Sequence, residues 1–217
     1  MENKLEKSLD EVVILDFETT GLSAQYERVI EVGAALVKGN QVTETFSQLC
    51  YPGTSISPCI TELTGITNSM LKGQPKPEIV MSKLHEFIDR RPILAHNASF
   101  DRQFLFAEMG RSKLEVPNSI LCTLLLSRRI ILDVTNHKLV TLKQYIKFNS
   151  KKTHQDHRAL DDVKVTAALW VFLRKEIEKS IGSNNLDVDI FQNICKVPKS
   201  QVQTKLKNIA KKIKVSG

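Results

Sequence analysis

Four acidic residues and one histidine lie in three short blocks spread over about 150 positions. The blocks are D-F-E-T-T-G-L at 16–22, H-N-A-S-F-D at 96–101 and H-R-A-L-D-D at 157–162. Mg²⁺ and Mn²⁺ prefer oxygen ligands, carboxylates above all, and a histidine can lose a proton near neutral pH. Two such cations about 4 Å apart can clamp both the attacking and the leaving oxygen of a phosphoryl displacement. The three blocks together therefore predict hydrolysis of a phosphodiester by water.

The first block follows an apolar run. The residues Val-Val-Ile-Leu at 12–15 predict a buried central strand that continues into Asp16. Residues two apart in a strand face the same side, so Asp16 and Glu18 are expected to point together, with Phe17 packed on the opposite side. Residues 28–37 and 41–49 predict two further strands joined by a turn at 38–40, which makes an antiparallel meander of three strands.

The second and third blocks fall where helices begin. A helix is expected to start at Pro77, and a short buried strand at 93–95 leads to a helix from about Phe100 to Met109, stopped by Gly110. Asp101 then lies in the first turn of that helix. The remaining expected elements are a strand at 119–122, helices at 123–131 and 139–147, and a long helix over about 158–178.

The last block sits at the start of the long helix. His157 and Asp162 would lie about 140° apart if both were helical, so His157 is expected on the loop that precedes the helix, with Asp162 in its first turns. Strands that alternate with helices after a meander are typical of a mixed α/β domain.

Taken together, the three blocks resemble the DEDD superfamily of 3′–5′ exonucleases, in its DEDDh or DnaQ-like branch, which includes the proofreading epsilon subunit of bacterial DNA polymerase III. Further matching pieces are I-E-V-G-A at 30–34, L-T-G-I-T at 63–67 and H-K-L at 137–139. The resemblance covers roughly residues 9–178. It implies a ribonuclease-H-like α/β fold, in which a mixed sheet of a three-stranded antiparallel meander plus parallel strands has flanking helices.

The resemblance also implies roles for individual residues. Two Mg²⁺ or Mn²⁺ ions would be held by Asp16, Glu18, Asp101 and Asp162, and His157 would be the general base. Asp162 is preferred to Asp161 on the family spacing alone. The residues implied to contact the terminal nucleotide are Thr19, Thr20, Leu22, His96, Asn97 and Phe100.

Three functions remain open at this point. The first is a metal-dependent exonuclease of proofreading or repair type, which releases nucleoside 5′-monophosphates from single-stranded or frayed 3′ ends of DNA. The second is an exoribonuclease of the ribonuclease T or oligoribonuclease kind, because the choice between RNA and DNA depends on contacts to the 2′-hydroxyl. The third is a catalytically inactive nucleic-acid-binding module.

The positive charge is concentrated near the C-terminus. The chain carries a net charge of +7, and residues 181–217 contain seven lysines and two aspartates. A boundary at 182–185 divides an exonuclease domain at 9–180 from a basic tail at 181–217 that is either partly helical or flexible. The tail fits contact with a polyanion, or with a DNA polymerase or clamp subunit, and lysine-rich ends also simply keep proteins in solution. No apolar run approaches the roughly 20 residues of a membrane span, so a cytoplasmic protein is expected.

Overall fold

The computed structural model of the chain describes residues 8–148 and 158–216, with side chains to Ile213. The strands of this part form one five-stranded sheet in the order β3-β2-β1-β4-β5. β1 pairs antiparallel with β2 and β2 antiparallel with β3, whereas β1–β4 and β4–β5 are parallel pairs. The strands are β1 (Glu11–Thr19), β2 (Val29–Lys38), β3 (Gln41–Leu49), β4 (Ile93–Ala95) and β5 (Ile120–Cys122). The predicted mixed sheet, a meander plus parallel strands, is confirmed.

The helices flank this sheet. They are α1 (Pro58–Thr64), α2 (Asn68–Leu71), α3 (Pro77–Ile88), α4 (Ala98–Arg111), α5 (Thr123–Ile130), α6 (Leu139–Tyr145), α7 (Ala159–Ile181), α8 (Val188–Lys196) and α9 (Val202–Ser216). The short helices α1 and α2 have no counterpart in the sequence-based expectations. α7 ends at Gly182, whose positive φ of 79° suits a residue without a β-carbon.

The prediction that Gly110 stops α4 is wrong. The helix continues through Gly110 to Arg111, and the residue that turns the chain with a positive φ is Lys113, at 57°. A glycine inside a helix costs only about 1 kcal/mol relative to alanine. The fully buried neighbours Leu105 and Met109 hold this end of α4 against the sheet.

Two apolar layers cover the two faces of the sheet, and β1 supplies side chains to both by strict alternation. Val12 and Ile14 belong to the layer with α7, whereas Val13 and Leu15 belong to the layer with α3 and α4. β2 is buried along nearly its whole length because both of its faces are covered. The alternation places the side chains that follow Ile14 at every second position on the α7 side of the sheet.

The C-terminal helices α8 and α9 extend the layer around α7. Phe191 of α8 packs against Trp170 of α7 with tilted rings whose centroids are 5.1 Å apart, and both are completely buried. Leu206 of α9 is also buried in this layer. The described part of segment 181–217 is therefore helical and packed onto residues 9–180, with the exposed Lys207 and Lys211 on the outer side of α9.

Within the described ranges, no helix has the length and apolar character needed to cross a membrane. The cytoplasmic location stays a prediction.

Candidate active site

The site begins at the end of β1, where the strand turns from apolar to acidic. In the antiparallel register Asp16 lies opposite Gly33, and Glu18 lies opposite Glu31. Directly opposed residues share a face of the sheet, so these four positions face α7 together. The expectation that Asp16 and Glu18 share a face, with Phe17 on the other, agrees with this register and with the burial of Phe17 against α3 and α4.

Gly33 brings α7 into contact with the sheet. A β-carbon added at Gly33 would lie 2.4 Å from the carbonyl carbon of Ala159 and 2.6 Å from the amide nitrogen of Leu160. Both of these atoms belong to the backbone of the first turn of α7, so only glycine permits this approach. The first turn carries Asp162, which is thereby brought over the acidic end of β1.

An ion pair fastens the same turn to β2. Glu31 is 1% exposed, and its carboxylate accepts hydrogen bonds from Arg158 Nε at 3.0 Å and Nη2 at 2.6 Å. The other oxygen of the carboxylate accepts a bond from the backbone N–H of Ala159 at 3.2 Å. A two-pronged guanidinium–carboxylate pair fixes orientation as well as distance. Glu31 therefore sets the position of the backbone that leads into Asp162.

Asp101 reaches β1 from the opposite direction, in the first turn of α4. β4 ends at Ala95, and its ladder with β1 reaches only to Ile14. The Phe17 N–H donates instead to Asp101 Oδ1 at 3.2 Å. This bond ties the 3%-exposed Asp101 to the residue between Asp16 and Glu18.

Burial and mutual repulsion raise the pKa values of these carboxyl groups. Burial, followed by the charges of Asp101, Glu18 and Asp162, raises the pKa of Asp16 well above its usual range. The pKa of Glu18 is raised to about 8, first by burial and then by Glu31 and Asp162. Burial raises the pKa of Asp101 to about 7, against the opposing effect of hydrogen bonds from backbone amides. The acids from β1, α4 and α7 thus form one electrostatic unit.

The donor set fits divalent cations. Crowded carboxylates in a buried site are stabilised in the charged form by a bound cation, and hard oxygen donors suit Mg²⁺ and Mn²⁺. Across residues 8–148 and 158–216, no group of three or more acidic, histidine or cysteine side chains is arranged as a ready-made metal cage.

The end of β1 and the segment that follows it carry three residues expected to hold a nucleotide near its sugar and base, namely Thr19, Thr20 and Leu22. A bulge follows Glu18, and the Thr19 hydroxyl donates to the Gly21 carbonyl oxygen at 2.6 Å. The Thr20 hydroxyl donates to the Glu27 carboxylate. Leu22 is 82% exposed. The backbone of this segment is thus internally braced, while Leu22 is presented to solvent.

His96, Asn97 and Phe100 lie where β4 passes into α4. The two ring nitrogens of His96 are engaged, Nδ1 with the Thr123 hydroxyl at 3.0 Å and Nε2 with the His137 carbonyl oxygen at 2.9 Å. Burial lowers the pKa of His96. Asn97 is exposed with a positive φ of 68°. Phe100 packs against the buried Phe104 with tilted rings, at a centroid distance of 5.0 Å.

The two neighbouring aspartates of the third block have different surroundings. The negative charge of Asp162 raises the pKa values of Asp16 and Glu18. Asp161 forms an ion pair with Lys164 at 3.1 Å. His157 lies outside the described residues, so its role as general base stays a prediction.

Sequence reasoning missed three structural contributions. These are the close approach at Gly33, the Glu31–Arg158 pair, and the support of His96 by Thr123 and His137. Glu31 and Gly33 lie inside I-E-V-G-A, Arg158 follows His157, and His137 is the first residue of H-K-L. Those motifs were the available signals, although they do not reveal which residue contacts which.

Comparison with known proteins decides the family. An exonuclease family matches residues 13–170. The chain belongs to this exonuclease family. Members of the family use divalent metal ions. The resemblance to DnaQ-like exonucleases is thereby confirmed.

The relatives in sequence are replication proteins. The chain is 39% identical over 175 residues to DNA polymerase III PolC-type from Caldanaerobacter subterraneus subsp. tengcongensis, which covers 80% of this chain and 12% of that protein. It is 35% identical over 167 residues to DNA polymerase III subunit epsilon from Aquifex aeolicus, with coverage of 76% and 81%. The chain therefore spans about an eighth of the length of the PolC-type relatives and most of the length of the epsilon subunit.

Solved structures share the fold. Exonuclease X in complex with 5′ overhanging duplex DNA is 29% identical with a TM-score of 0.63, and the match covers 76% of this chain and 91% of that one. E. coli Exonuclease I in complex with a dT13 oligonucleotide has a TM-score of 0.66 at 18% identity, with coverage of 78% and 42%, and this likeness concerns the fold alone. The predicted ribonuclease-H-like fold is confirmed.

Proposed function

We propose that the chain is a metal-dependent 3′–5′ exonuclease that removes nucleoside 5′-monophosphates from the 3′ ends of DNA. The observation that supports this most directly is the acidic unit at the end of β1. Carboxyl groups from three elements, β1, α4 and α7, together raise the pKa of Asp16. Hydrogen bonds from the backbone amides of Phe17 and Ala159 hold these elements in place. A surface cluster of acids would have no reason to be braced in this way.

Asp16, Glu18, Asp101 and Asp162 would hold two Mg²⁺ or Mn²⁺ ions. When bound, such ions polarise the scissile phosphate and lower the pKa of a water molecule. Glu31 and Arg158 keep the first turn of α7 on the sheet, and Asp101 stays oriented by the Phe17 amide. The protein's own contribution is thus to keep four carboxyl groups together at a fixed place.

The remaining residues would handle the proton and the nucleotide. His157 would accept a proton from the attacking water, a role that suits an imidazole near neutral pH. The backbone at Thr19 and Thr20 would approach the 3′-terminal sugar, and Leu22 would pack against the terminal base. His96, Asn97 and Phe100 would form the wall of the same pocket, with the His96 ring held in one orientation.

The deciding experiment is digestion of matched 3′-labelled and 5′-labelled single-stranded DNA and RNA oligomers with Mg²⁺, Mn²⁺ or EDTA. We expect a metal-dependent ladder that shortens from the 3′ end, with DNA degraded faster than RNA. Asp16→Ala should abolish it without loss of fold, because the change removes a proposed metal ligand at a strand end rather than core volume. A faster rate on RNA would favour the exoribonuclease, and no cleavage by the native protein would favour the binding module.

A matched pair of variants tests the assignment on α7. Asp162→Asn should reduce turnover by at least 100-fold, whereas Asp161→Asn, which alters only the neighbour paired with Lys164, should retain activity within a few-fold. Equal losses in the two variants would contradict the placement of Asp162 in the metal site.

The relatives also bear on substrate and partner. Because they are DNA polymerase III proteins, we propose single-stranded or frayed 3′ ends of DNA as the substrate. We further propose a polymerase or clamp subunit as a partner of segment 181–217. Co-elution of the purified chain with a polymerase III catalytic subunit, lost after charge reversal of Lys207 and Lys211, would support the partner; unchanged co-elution would remove these lysines from the interface.

A further inference from the structure

The loop between β1 and β2 presents two large side chains to solvent, Leu22 at 82% exposed and Tyr26 at 77%. A single exposed apolar side chain is ordinary on a protein surface. What distinguishes Tyr26 is that the backbone around it is fixed from several sides. An exposed aromatic ring on a rigid support can bind a flat ligand without the entropic cost of ordering the loop.

Arg111 of α4 holds the loop on the N-terminal side of Tyr26. Its Nη2 donates to the carbonyl oxygens of Ala24 at 2.7 Å and Gln25 at 3.1 Å. Its Nη1 pairs at 3.1 Å with Glu108, whose side chain is completely buried. The guanidinium is thus anchored to a buried carboxylate, and the two residues before Tyr26 are tied to it.

Glu108 also anchors the other end of the loop. Its carboxylate accepts bonds from Arg28 Nε at 2.8 Å and from the Val29 N–H at 3.2 Å. The Tyr26 N–H itself closes a turn onto the Ser23 carbonyl oxygen at 3.0 Å. One buried carboxylate therefore organises the loop on both sides of the tyrosine.

The loop folds back onto the segment that is proposed to hold the terminal nucleotide. The Thr20 hydroxyl bonds to the carboxylate of Glu27 and accepts a bond from the Arg28 N–H at 3.0 Å. A β-carbon at Gly21 would lie 2.8 Å from Glu27 Cδ, so these two residues are in direct contact. Tyr26 precedes Glu27, so its backbone is one residue away from direct contact with this segment.

We propose that Tyr26 stacks on the unpaired base on the 5′ side of the 3′-terminal nucleotide. The inference rests on the proposed function and adds to it a second base contact beyond the one at Leu22. Stacking on an aromatic ring suits single strands of any sequence, because every base presents a π-face. It also gives a reason for an exonuclease to favour frayed ends, since a paired base is already stacked within its duplex.

The test is binding of a fluorescein-labelled dT oligomer in EDTA, measured by fluorescence anisotropy. Tyr26→Ala should raise the Kd by roughly 5- to 150-fold, which is the range that stacking on one base supplies. The Kd of Tyr26→Phe should stay within about threefold of the native value because the ring remains. Tyr51→Ala, which truncates a 39%-exposed tyrosine after β3, is the matched control and should leave the Kd unchanged.

An oligomer with an abasic site at the second position from the 3′ end completes a double-mutant cycle. The native protein should bind this oligomer as weakly as Tyr26→Ala binds the intact one, and the variant should lose nothing further. Independent, additive losses would overturn the pairing of Tyr26 with that base, as would an unchanged Kd for Tyr26→Ala.

Hydrolysis of the p-nitrophenyl ester of thymidine 5′-monophosphate with Mn²⁺ separates this inference from the proposed function. The ester has no second base, so Tyr26→Ala should hydrolyse it at the native rate. A loss equal to the loss in oligomer binding would mean that the substitution damages the site itself and would overturn the stacking role. Failure of the native protein to hydrolyse the ester would count against the proposed function, while the binding cycle in EDTA would still decide the role of Tyr26.

Discussion

Replacement of Gly33 by alanine tests how the site is assembled. The added methyl carbon would lie 2.4 Å from the carbonyl carbon of Ala159, whereas ordinary contact begins at 3.4 Å, so the two backbones must separate by about 1 Å. No side-chain rotation can relieve the clash, because it involves backbone atoms on β2 and α7. The first turn of α7 must move outward, and it takes Asp162 with it.

The magnitude of the effect follows from that displacement. A misplacement of about 1 Å in a catalytic constellation can cost on the order of 100-fold in rate, and we expect that loss in kcat rather than in KM. Overpacking of this kind also costs about 1–3 kcal/mol in the free energy of unfolding. For a chain of this size, that corresponds to a fall in Tm of roughly 2–12 °C.

Initial rates on single-stranded DNA over a range of concentrations, together with calorimetric unfolding, would measure both effects. Gly110→Ala is the matched control, since no described atom outside its own helix turn lies within 4 Å of a β-carbon there. It should leave kcat unchanged and raise stability by up to about 1 kcal/mol, because alanine favours a helix more than glycine does. A Gly33→Ala protein with kcat within twofold of native and an unchanged Tm would refute the close approach of α7 to β2.

Three further predictions concern charge and protons. Arg158→Ala should lower the free energy of unfolding by about 3 kcal/mol, because it leaves the carboxylate of Glu31 buried without its cation; urea denaturation would measure this, and a change under 1 kcal/mol would argue against the pair. In the metal-free protein, the pKa values of Asp101 (about 7) and Glu18 (about 8) are raised. Between about pH 4 and pH 8 the folded state therefore holds protons that the unfolded state has already released. The stability in EDTA should fall as pH rises from about 4 to about 8. Mg²⁺ should reverse most of that fall, and a pH-independent Tm in EDTA would contradict the raised values. His157→Ala should cut kcat by roughly 10²–10⁴ with little change in the Kd for single-stranded DNA measured by anisotropy, whereas loss of binding would assign His157 to substrate contact instead.

Local patterns were enough to predict the elements that carry the acids. The alternation around Phe17 and the apolar run before Asp16 depend only on neighbours in sequence, and β3 and β4 fall where the sequence predicts them. Gly110 shows the limit of such rules, because packing of α4 on the sheet outweighs the helix preference of one residue. α1 and α2, of seven and four residues, are too short to show a helical periodicity in the sequence.

The contacts that assemble the site join distant parts of the chain. Glu31 and Arg158 are 127 positions apart, and Phe17 and Asp101 are 84 apart. No spacing rule connects such residues, so the sequence predicts which side chains serve the site but not what holds them in place. The same holds for Arg111, whose role in bracing the loop around Tyr26 has no local signature.

The packing of α8 and α9 shows that the span of the family match is shorter than the part of the chain that packs around α7. The family match ends at residue 170, in the middle of α7, where the completely buried Trp170 rests on Phe191 of α8. A fragment cut at the limits of the match would lose half of α7 and expose the apolar surface that Phe191 and Leu206 now cover. The apolar layer around α7 therefore extends beyond the span of the family match, because α8 and α9 complete it on that side of the sheet.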